Sequence, residues 1–563
     1  MKQIHPYIRR TILFLLLLLP NIYAVFCVND LTISLAKSII YFVVVLTCLL
    51  LPALVLKAKA YFITEGLLTL LCAPIEIASI YINKETCSKP FLAIIYSTDR
   101  QEATELLSSM WFLVVAVLIV WAVYFYLAAT EKQEWLLPKP LQKSLLILLP
   151  ILPVCGMGVF SIFSYHFNRE QTPAQIAADA ADKIMMKFYK IFPYNFYVNS
   201  ISLLRDERDI DKRIHQLEQF RFGISSRNDT LPEVVVLVIG ETARSHNFSL
   251  NGYERPTTPL LSKRANIISY DSAYSQANLT AYAVPHILSR IPVIHRDCLY
   301  TERDMIDAFK EAGYSDAWIT NQSAGTYTAR HLHTTDYHYA SHKGGSAEGN
   351  YDVELLTPLE QYLHTQTTAK KIICLHTMGN HWRYDSRYPI EFSVYQPTID
   401  NKFNITDITP AAKEKLLNAY DNGILYTDFF LDSLINRLEM LQCPVIMLYL
   451  SDHGENIYDD EREVVLHGSY IGTRYEYNIP FILWYSEQYF SLHPDKVLQL
   501  RAHQHSQFNS AVVFHTLLDA CGITEPIDST MSLCHPAFCP MDTMQALTGD
   551  ENFIKITCDT ILR

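Results

Sequence analysis

Apolar residues follow two different regimes along this chain. Over roughly the first 165 positions they gather in long runs, at about 11–28, 38–57, 60–82, 110–129 and 144–163. Each run approaches the roughly 20 residues that cross a hydrocarbon core of about 30 Å, so five transmembrane helices are predicted. The third run carries Glu65 and Glu76, and a carboxylate in hydrocarbon is costly. The first begins with Lys2, Arg9 and Arg10, like a secretory signal, but no small-residue cleavage site follows it. It is read as an uncleaved anchor.

Beyond this region the pattern shortens. Residues 164–232 form a connector in which Ala174–Lys190 shows helical spacing. That helix suits either a membrane interface or the face of a soluble domain. From 233 onward, short β-rich runs alternate with helical stretches. Glu233–Ile239 is a continuous apolar run suited to a strand buried on both faces. Asp316–Thr320, Lys371–Leu375, Pro444–Leu450 and Pro480–Trp484 resemble it, and helical patterns at Thr301–Ala312 and Ala411–Leu441 separate them. The alternation predicts an α/β domain over 233–563, a mostly parallel sheet flanked by helices.

Charge adds orientation. With the N-terminus inside, internal segments hold Lys2, Arg9, Arg10, Lys57, Lys59, Lys132, Lys139 and Lys143, whereas the early external loops hold Lys37, Lys84, Lys89 and Arg100. The bias places residues after about 164 outside the cytoplasm. A net charge of −12 argues against a nucleic-acid partner, which wants a basic face. An external domain permits disulfides, and among Cys521, Cys534, Cys539 and Cys558 the pair Cys521–Cys534 is favoured. Cys374 and Cys443, at the edges of strand-like runs, are read as buried thiols.

In open α/β sheets ligands gather outside the carboxyl ends of the strands. There the first strand runs into Glu241, the 444–450 strand into Asp452 and His453, and the 371–375 strand into a segment ending at His381. Glu241, Asp452 and His453 can supply three metal ligands, and this oxygen-rich set suits zinc, manganese or magnesium. Thr280, where a loop turns into a short helix, fits the fourth position. A helix start favours an anionic phosphoryl group, and coordination to a metal lowers the pKa of a hydroxyl. On this segment alone Thr280 would be a simple N-cap; the neighbouring motifs reverse that reading. The tract Arg330-His-Leu-His333 with His338 and His342 fits no closed zinc pattern and reads as a hydrophilic loop.

Several motifs occur in a specific order: Gly240-Glu241-Thr242, Ser249-Leu-Asn-Gly-Tyr-Glu-Arg-Pro-Thr-Thr-Pro259, the Thr280 segment, Trp318-Ile-Thr-Asn-Gln322, His376-Thr-Met-Gly-Asn-His381, Tyr420-Asp-Asn422, Ser451-Asp-His-Gly-Glu455 and Leu466-His467-Gly468. With five amino-terminal spans, they resemble over essentially the whole chain the phosphoethanolamine transferases of lipid A and lipopolysaccharide core, in the alkaline phosphatase and sulfatase superfamily. The resemblance implies Zn2+ held by Glu241, Thr280, Asp452 and His453, with Thr280 as nucleophile. It implies that His381 and His467 contact the transferred phosphate or assist proton transfer. Thr98 and Glu102 keep the family's spacing for binding the ethanolamine head group, and Ser323 matches a head-group serine. The chain departs at Ile94, where some relatives place asparagine, and at Thr326 and Tyr327, where a lysine is expected nearby.

The same resemblance implies a multi-pass protein of the bacterial inner membrane with its catalytic domain in the periplasm. The donor is phosphatidylethanolamine, and phosphoethanolamine passes through Thr280 to lipid A or lipopolysaccharide core. A periplasmic glucan acceptor and a phosphoglycerol head group are the alternatives. Sulfate-ester hydrolysis is excluded because Ala281 and Tyr282 follow Thr280, where formylglycine formation needs a cysteine or serine with proline two residues on. An added ammonium lowers surface negative charge, so polymyxins, drawn at roughly 1 kcal/mol per basic residue, bind less well.

Overall fold

The computed structural model describes the chain except residues 1–4, 29–34, 84–85, 98–106, 108–110, 133, 146–190, 226–230, 300, 323–333, 342–349, 401–402, 404–406, 470–471, 550–551, 558–560 and 563. It separates into two units, one of residues 1–96 and 110–206, the other of residues 97–109 and 207–563.

The first unit is helical. Among the described residues two helices are long and apolar enough to cross a membrane, Pro6–Cys27 and Trp111–Ala129. These are the first and fourth predicted runs, and the third counts as a further span only if its bent helix pair is taken as one. The second run forms only the 16-residue helix Leu35–Leu50, ended by a 3-10 turn at Pro52–Leu54. The third is a broken pair, Ala58–Leu70 and Ala73–Tyr81, bent by 41°. Glu65 and Glu76 lie on opposite sides of that break, both buried in protein. Glu76 Oε2 accepts hydrogen bonds from Asn195 Nδ2 at 2.8 Å and Cys87 N at 3.0 Å, while its buried Oε1 receives none from the described residues. Most of the fifth run, and the Ala174–Lys190 helix, lie outside the described residues. Arg9 and Arg10 both reach Glu131, at 2.7 and 2.8 Å, so the start of the first helix and the end of Trp111–Ala129 share one end of the unit.

The second unit is built on a seven-stranded sheet. Its strands in chain order are β1 (Glu233–Gly240), β2 (Ile267–Tyr270), β3 (Ser315–Thr320), β4 (Tyr337–Ala340), β5 (Lys370–His376), β6 (Val445–Ser451) and β7 (Phe481–Tyr485). The spatial order is β2-β7-β6-β1-β5-β3-β4. Strands β6, β1, β5, β3 and β4 run parallel. β7 is antiparallel to both neighbours, so the sheet is mixed at one edge. All eight residues of β1 are buried. Alternation along β1 sends Val235, Leu237 and Ile239 into one core with the helices Met305–Glu311 and Val512–Ala520. Val234, Val236 and Val238 enter the other core with Lys413–Glu439 and Leu356–Thr365. Burial on both faces explains the uninterrupted apolar run.

The helix expected from Thr301 begins at Met305, because Asp304 caps it by accepting from the backbone N–H groups of Ile306 and Asp307. Cys374 and Cys443 are buried thiols. Cys521 and Cys534 are also buried thiols and do not form the favoured disulfide; both sit in the core on the Met305–Glu311 side of the sheet, where each packs as a small apolar group.

Candidate active site

Strands β5, β1 and β6 are neighbours in parallel register, so their carboxyl ends form one edge. Ile239 stands beside His376 and Leu450, and Gly240 beside Ser451. The next residues, Glu241 and Asp452, therefore leave the sheet together although 210 positions separate the connected Thr242 and Asp452. Ligand atoms of Glu241, Asp452 and His453 lie within 4.8 Å of one another, and all three residues are buried. Thr280 completes the group. Its Oγ1 is 3.3 and 3.2 Å from the two Glu241 oxygens and 3.2 Å from His453 Nε2. Leu279 is the N-cap of the helix Thr280–Leu288 and makes no side-chain cap bond. Thr280 therefore does not cap this helix, and its hydroxyl faces the acidic group from the first helical position.

The surrounding loops are held rigidly. Tyr420 donates to Thr242 O at 2.7 Å and accepts from Arg244 N at 2.9 Å. The Arg244 guanidinium lies over the rings of Tyr420 and Tyr475, pairs with Asp459 at 2.7 Å and donates to Glu455 O at 3.2 Å. One arginine therefore ties the loop after β1 to the loop after β6. Ser451 Oγ repeats the tie, donating to His453 O and accepting from Ala243 N, each at 2.8 Å. On the other side, Asp352 accepts from the N–H groups of Met378 and Gly379 at 2.8 and 2.9 Å, and Asn380 N donates to Glu241 O at 2.9 Å. Gly379 has φ +48°, and a Cβ there would sit 2.5 Å from Glu241 O. That close approach is what requires glycine.

Charge in the site is unbalanced. Burial, then the neighbouring Asp452, push the Glu241 carboxyl well above its usual range. Burial holds the His453 imidazole down at about 4, so it is neutral near pH 7. Asp452 Oδ1 accepts from Thr242 N at 3.1 Å and His453 N at 2.7 Å. Its buried Oδ2 receives no hydrogen bond from the described residues. Two buried carboxylates, one with an unsatisfied oxygen, beside a neutral imidazole form a donor set for a divalent cation, which would remove their mutual repulsion.

The two histidines suggested for phosphate contact gather here. The His467 ring lies 4.3 Å from that of His453 and 5.9 Å from that of His381. Burial opposes charge on His467, but Glu455 at 3.3 Å, with Glu241 and Asp452, pushes it up to about 9. Burial, then the neighbouring His467 and Arg387, push His381 down to about 3. Thr98, Glu102 and Ser323, expected at the head group, lie outside the described residues. So do Arg330, His331, His333 and His342, whereas His338 is exposed on β4. The sequence alone assigned no role to Gln322, whose Nε2 donates to Glu241 Oε2 at 2.9 Å and Thr377 O at 3.0 Å. Its position just past the carboxyl end of β3 was the available signal.

A family model described as Sulfatase matches residues 233–523. Phosphoethanolamine transferase EptC of Escherichia coli K12 is 26% identical over 469 residues, covering 80% of this chain and 78% of its own length. The crystal structure of the periplasmic domain of Escherichia coli EptC in complex with Zn aligns with a TM-score of 0.54 at 28% identity, covering 60% of this chain and 96% of that one. Over the longer span, the integral membrane lipooligosaccharide phosphoethanolamine transferase A of Neisseria meningitidis aligns with a TM-score of 0.65 at 22% identity, covering 84% and 86%. That last likeness extends the shared fold into the amino-terminal helices.

Proposed function

The chain belongs to the sulfatase family, and from that premise we propose that it transfers phosphoethanolamine from phosphatidylethanolamine to lipid A or lipopolysaccharide core. The observation that carries the reading is the placement of Thr280 Oγ1 within 3.3 Å of both Glu241 oxygens and of His453, at the start of a helix. The relatives named phosphoethanolamine transferase and the EptC domain solved with Zn support it.

Glu241, Asp452, His453 and Thr280 would hold a zinc ion, which when bound lowers the pKa of a hydroxyl and offsets negative charge on transferring oxygens. In the first step Thr280 Oγ attacks the donor phosphorus. The P–Oγ bond forms, the bond from phosphorus to the glycerol oxygen breaks, and the threonine proton ends on the departing diacylglycerol. In the second step an acceptor oxygen attacks the same phosphorus. The P–Oγ bond breaks, and the acceptor's proton returns to Thr280. His381 and His467, side by side next to His453, are placed to carry these protons. The amino end of the helix Thr280–Leu288 favours the anionic phosphoryl group held there.

The proposal includes a multi-pass protein of the bacterial inner membrane with this domain in the periplasm, which confines enzyme, donor and acceptor to one interface. Purified protein incubated with phosphatidylethanolamine and digested is expected to show a phosphoethanolamine adduct on Thr280 by mass spectrometry. Turnover with no adduct in wild type, or with full rate in Thr280→Ala, overturns the covalent route. Lipid analysis of cells with and without the gene identifies the acceptor; modified glucan with unmodified lipid A and core would redirect it.

A further inference from the structure

Glu241 is gripped from both sides before any ligand arrives. Thr242 Oγ1 donates to its Oε1 at 2.6 Å, and Gln322 Nε2 donates to its Oε2 at 2.9 Å. A carboxylate oxygen offers two lone pairs, so one donor on each leaves one lone pair per oxygen directed elsewhere. Thr280 Oγ1 and His453 Nε2 lie on that remaining side, at 3.2–3.3 Å and 3.5 Å. The orientation of the Gln322 amide is fixed by its surroundings. One near neighbour, Thr377 O at 3.0 Å, is a carbonyl that only accepts, so the NH2 group faces it and Glu241 Oε2 beside it.

Residue 242 does more than hold Glu241. Its backbone N–H donates to Asp452 Oδ1 at 3.1 Å, so a single residue touches two members of the acidic group. It does so at φ +59°, a left-handed backbone that is a true outlier for a β-branched residue. Strain of that kind persists only where its surroundings over-determine it, and here Tyr420 anchors the Thr242 carbonyl. Gln322 in turn is set by its own N–H donating to Thr320 Oγ1 at 3.0 Å at the end of β3.

We propose that Thr242 and Gln322 are positioning residues that together fix the Glu241 carboxylate for metal binding, an inference that rests on Glu241 being a ligand. Neither touches the transferred group; both act through Glu241. Groups that orient a metal ligand typically matter by about 10–100-fold in metal affinity.

The test uses full-length protein in detergent and near-isosteric variants that delete only the donor. Thr242→Val keeps the β-branch and Gln322→Met keeps the length. Zinc affinity is measured by competition with a chromophoric chelator, and the cobalt-substituted protein gives an absorption spectrum sensitive to ligand geometry. Each variant is expected to bind zinc about 10–100-fold more weakly with an altered cobalt spectrum, while Thr242→Ser recovers most of the loss. A residue that merely supports the fold would lower the thermal midpoint of metal-free protein and leave the cobalt spectrum unchanged. Wild-type zinc affinity and spectrum in both variants, alongside lost binding in Glu241→Gln, overturns the inference and spares the ligand assignment. Undiminished zinc binding by Glu241→Gln overturns the assignment and the inference together. Should Thr242→Val fail to fold, half-buried Gln322 decides the matter alone.

Discussion

The two ends of the central sheet both bury charge, and they handle it differently. At the amino end, Glu233 and Lys370 stand side by side in register on β1 and β5, 5% and 4% exposed. Tyr314 donates to the Glu233 carboxylate and also lies 5.8 Å beneath the Lys370 ammonium. One tyrosine thus serves both groups within the chain itself, its hydroxyl the carboxylate and its ring the ammonium. At the carboxyl end, Glu241 and Asp452 repel each other across a neutral imidazole, and the positive groups nearby are shared with other partners, Arg244 with Asp459 and His467 with Glu455. The charge at the amino end is met by a neighbour in the chain. On the proposed reading, the charge at the carboxyl end awaits a cation from outside.

Perturbations at the two ends should therefore diverge. The largest effect is expected at the carboxyl end in catalysis: Thr280→Ala should lower transfer by on the order of 10^4–10^6-fold with an unchanged circular dichroism spectrum, whereas Thr280→Ser retains measurable turnover. The amino end should answer in stability alone. Glu233→Ala removes the carboxylate that accepts from buried Tyr314 and is expected to cost about 2 kcal/mol in chemical denaturation while leaving zinc affinity at the wild-type value. A loss of zinc binding in that variant would show that the ends are not independent. Chelation is of similar size. Restoring zinc at about 100 times its dissociation constant should stabilise the protein by about 2.7 kcal/mol, read as a rise in melting temperature. An unchanged midpoint would mean that the carboxyl end needs no cation. The smallest effect has the opposite sign. In metal-free protein Asp452→Asn removes the second carboxylate facing Glu241 and should raise the thermal midpoint slightly, while abolishing metal binding.

The buried centre of the sheet was legible in the residues because strands covered on both faces must be apolar throughout. β1 shows this over all eight positions. The edge strands were not. β4 reads Tyr-His-Tyr-Ala and is only half covered, and β2 is four residues long, so neither interrupts the polar background. β7 was found but not its direction, since its pairing with β6 depends on chain path rather than composition. Glu241, Asp452 and His453 were legible because each lies just past the carboxyl end of a buried strand, and the same rule reaches Gln322. Asp352 was invisible to it, because it enters from a 3-10 turn and acts on the backbone of residues 378 and 379. The amino-terminal helices taught a further limit. Hydropathy located the run at 60–82 but gave no sign that it bends by 41° between its two glutamates.

The distance along the chain between Thr280 and His453, 173 positions, gives the site a history as well as a shape. At translation rates of about 5–20 residues per second, the threonine precedes its histidine partner by roughly 9–35 s. Throughout that interval Glu241 and Thr280 exist without Asp452, and no complete ligand set is present to select one ion over another. If these residues hold the metal as proposed, its choice is deferred until residue 453, in the last fifth of the chain, has been made. On that reading, the compartment in which the chain finishes folding, and not the one in which its synthesis began, decides which ion it meets first.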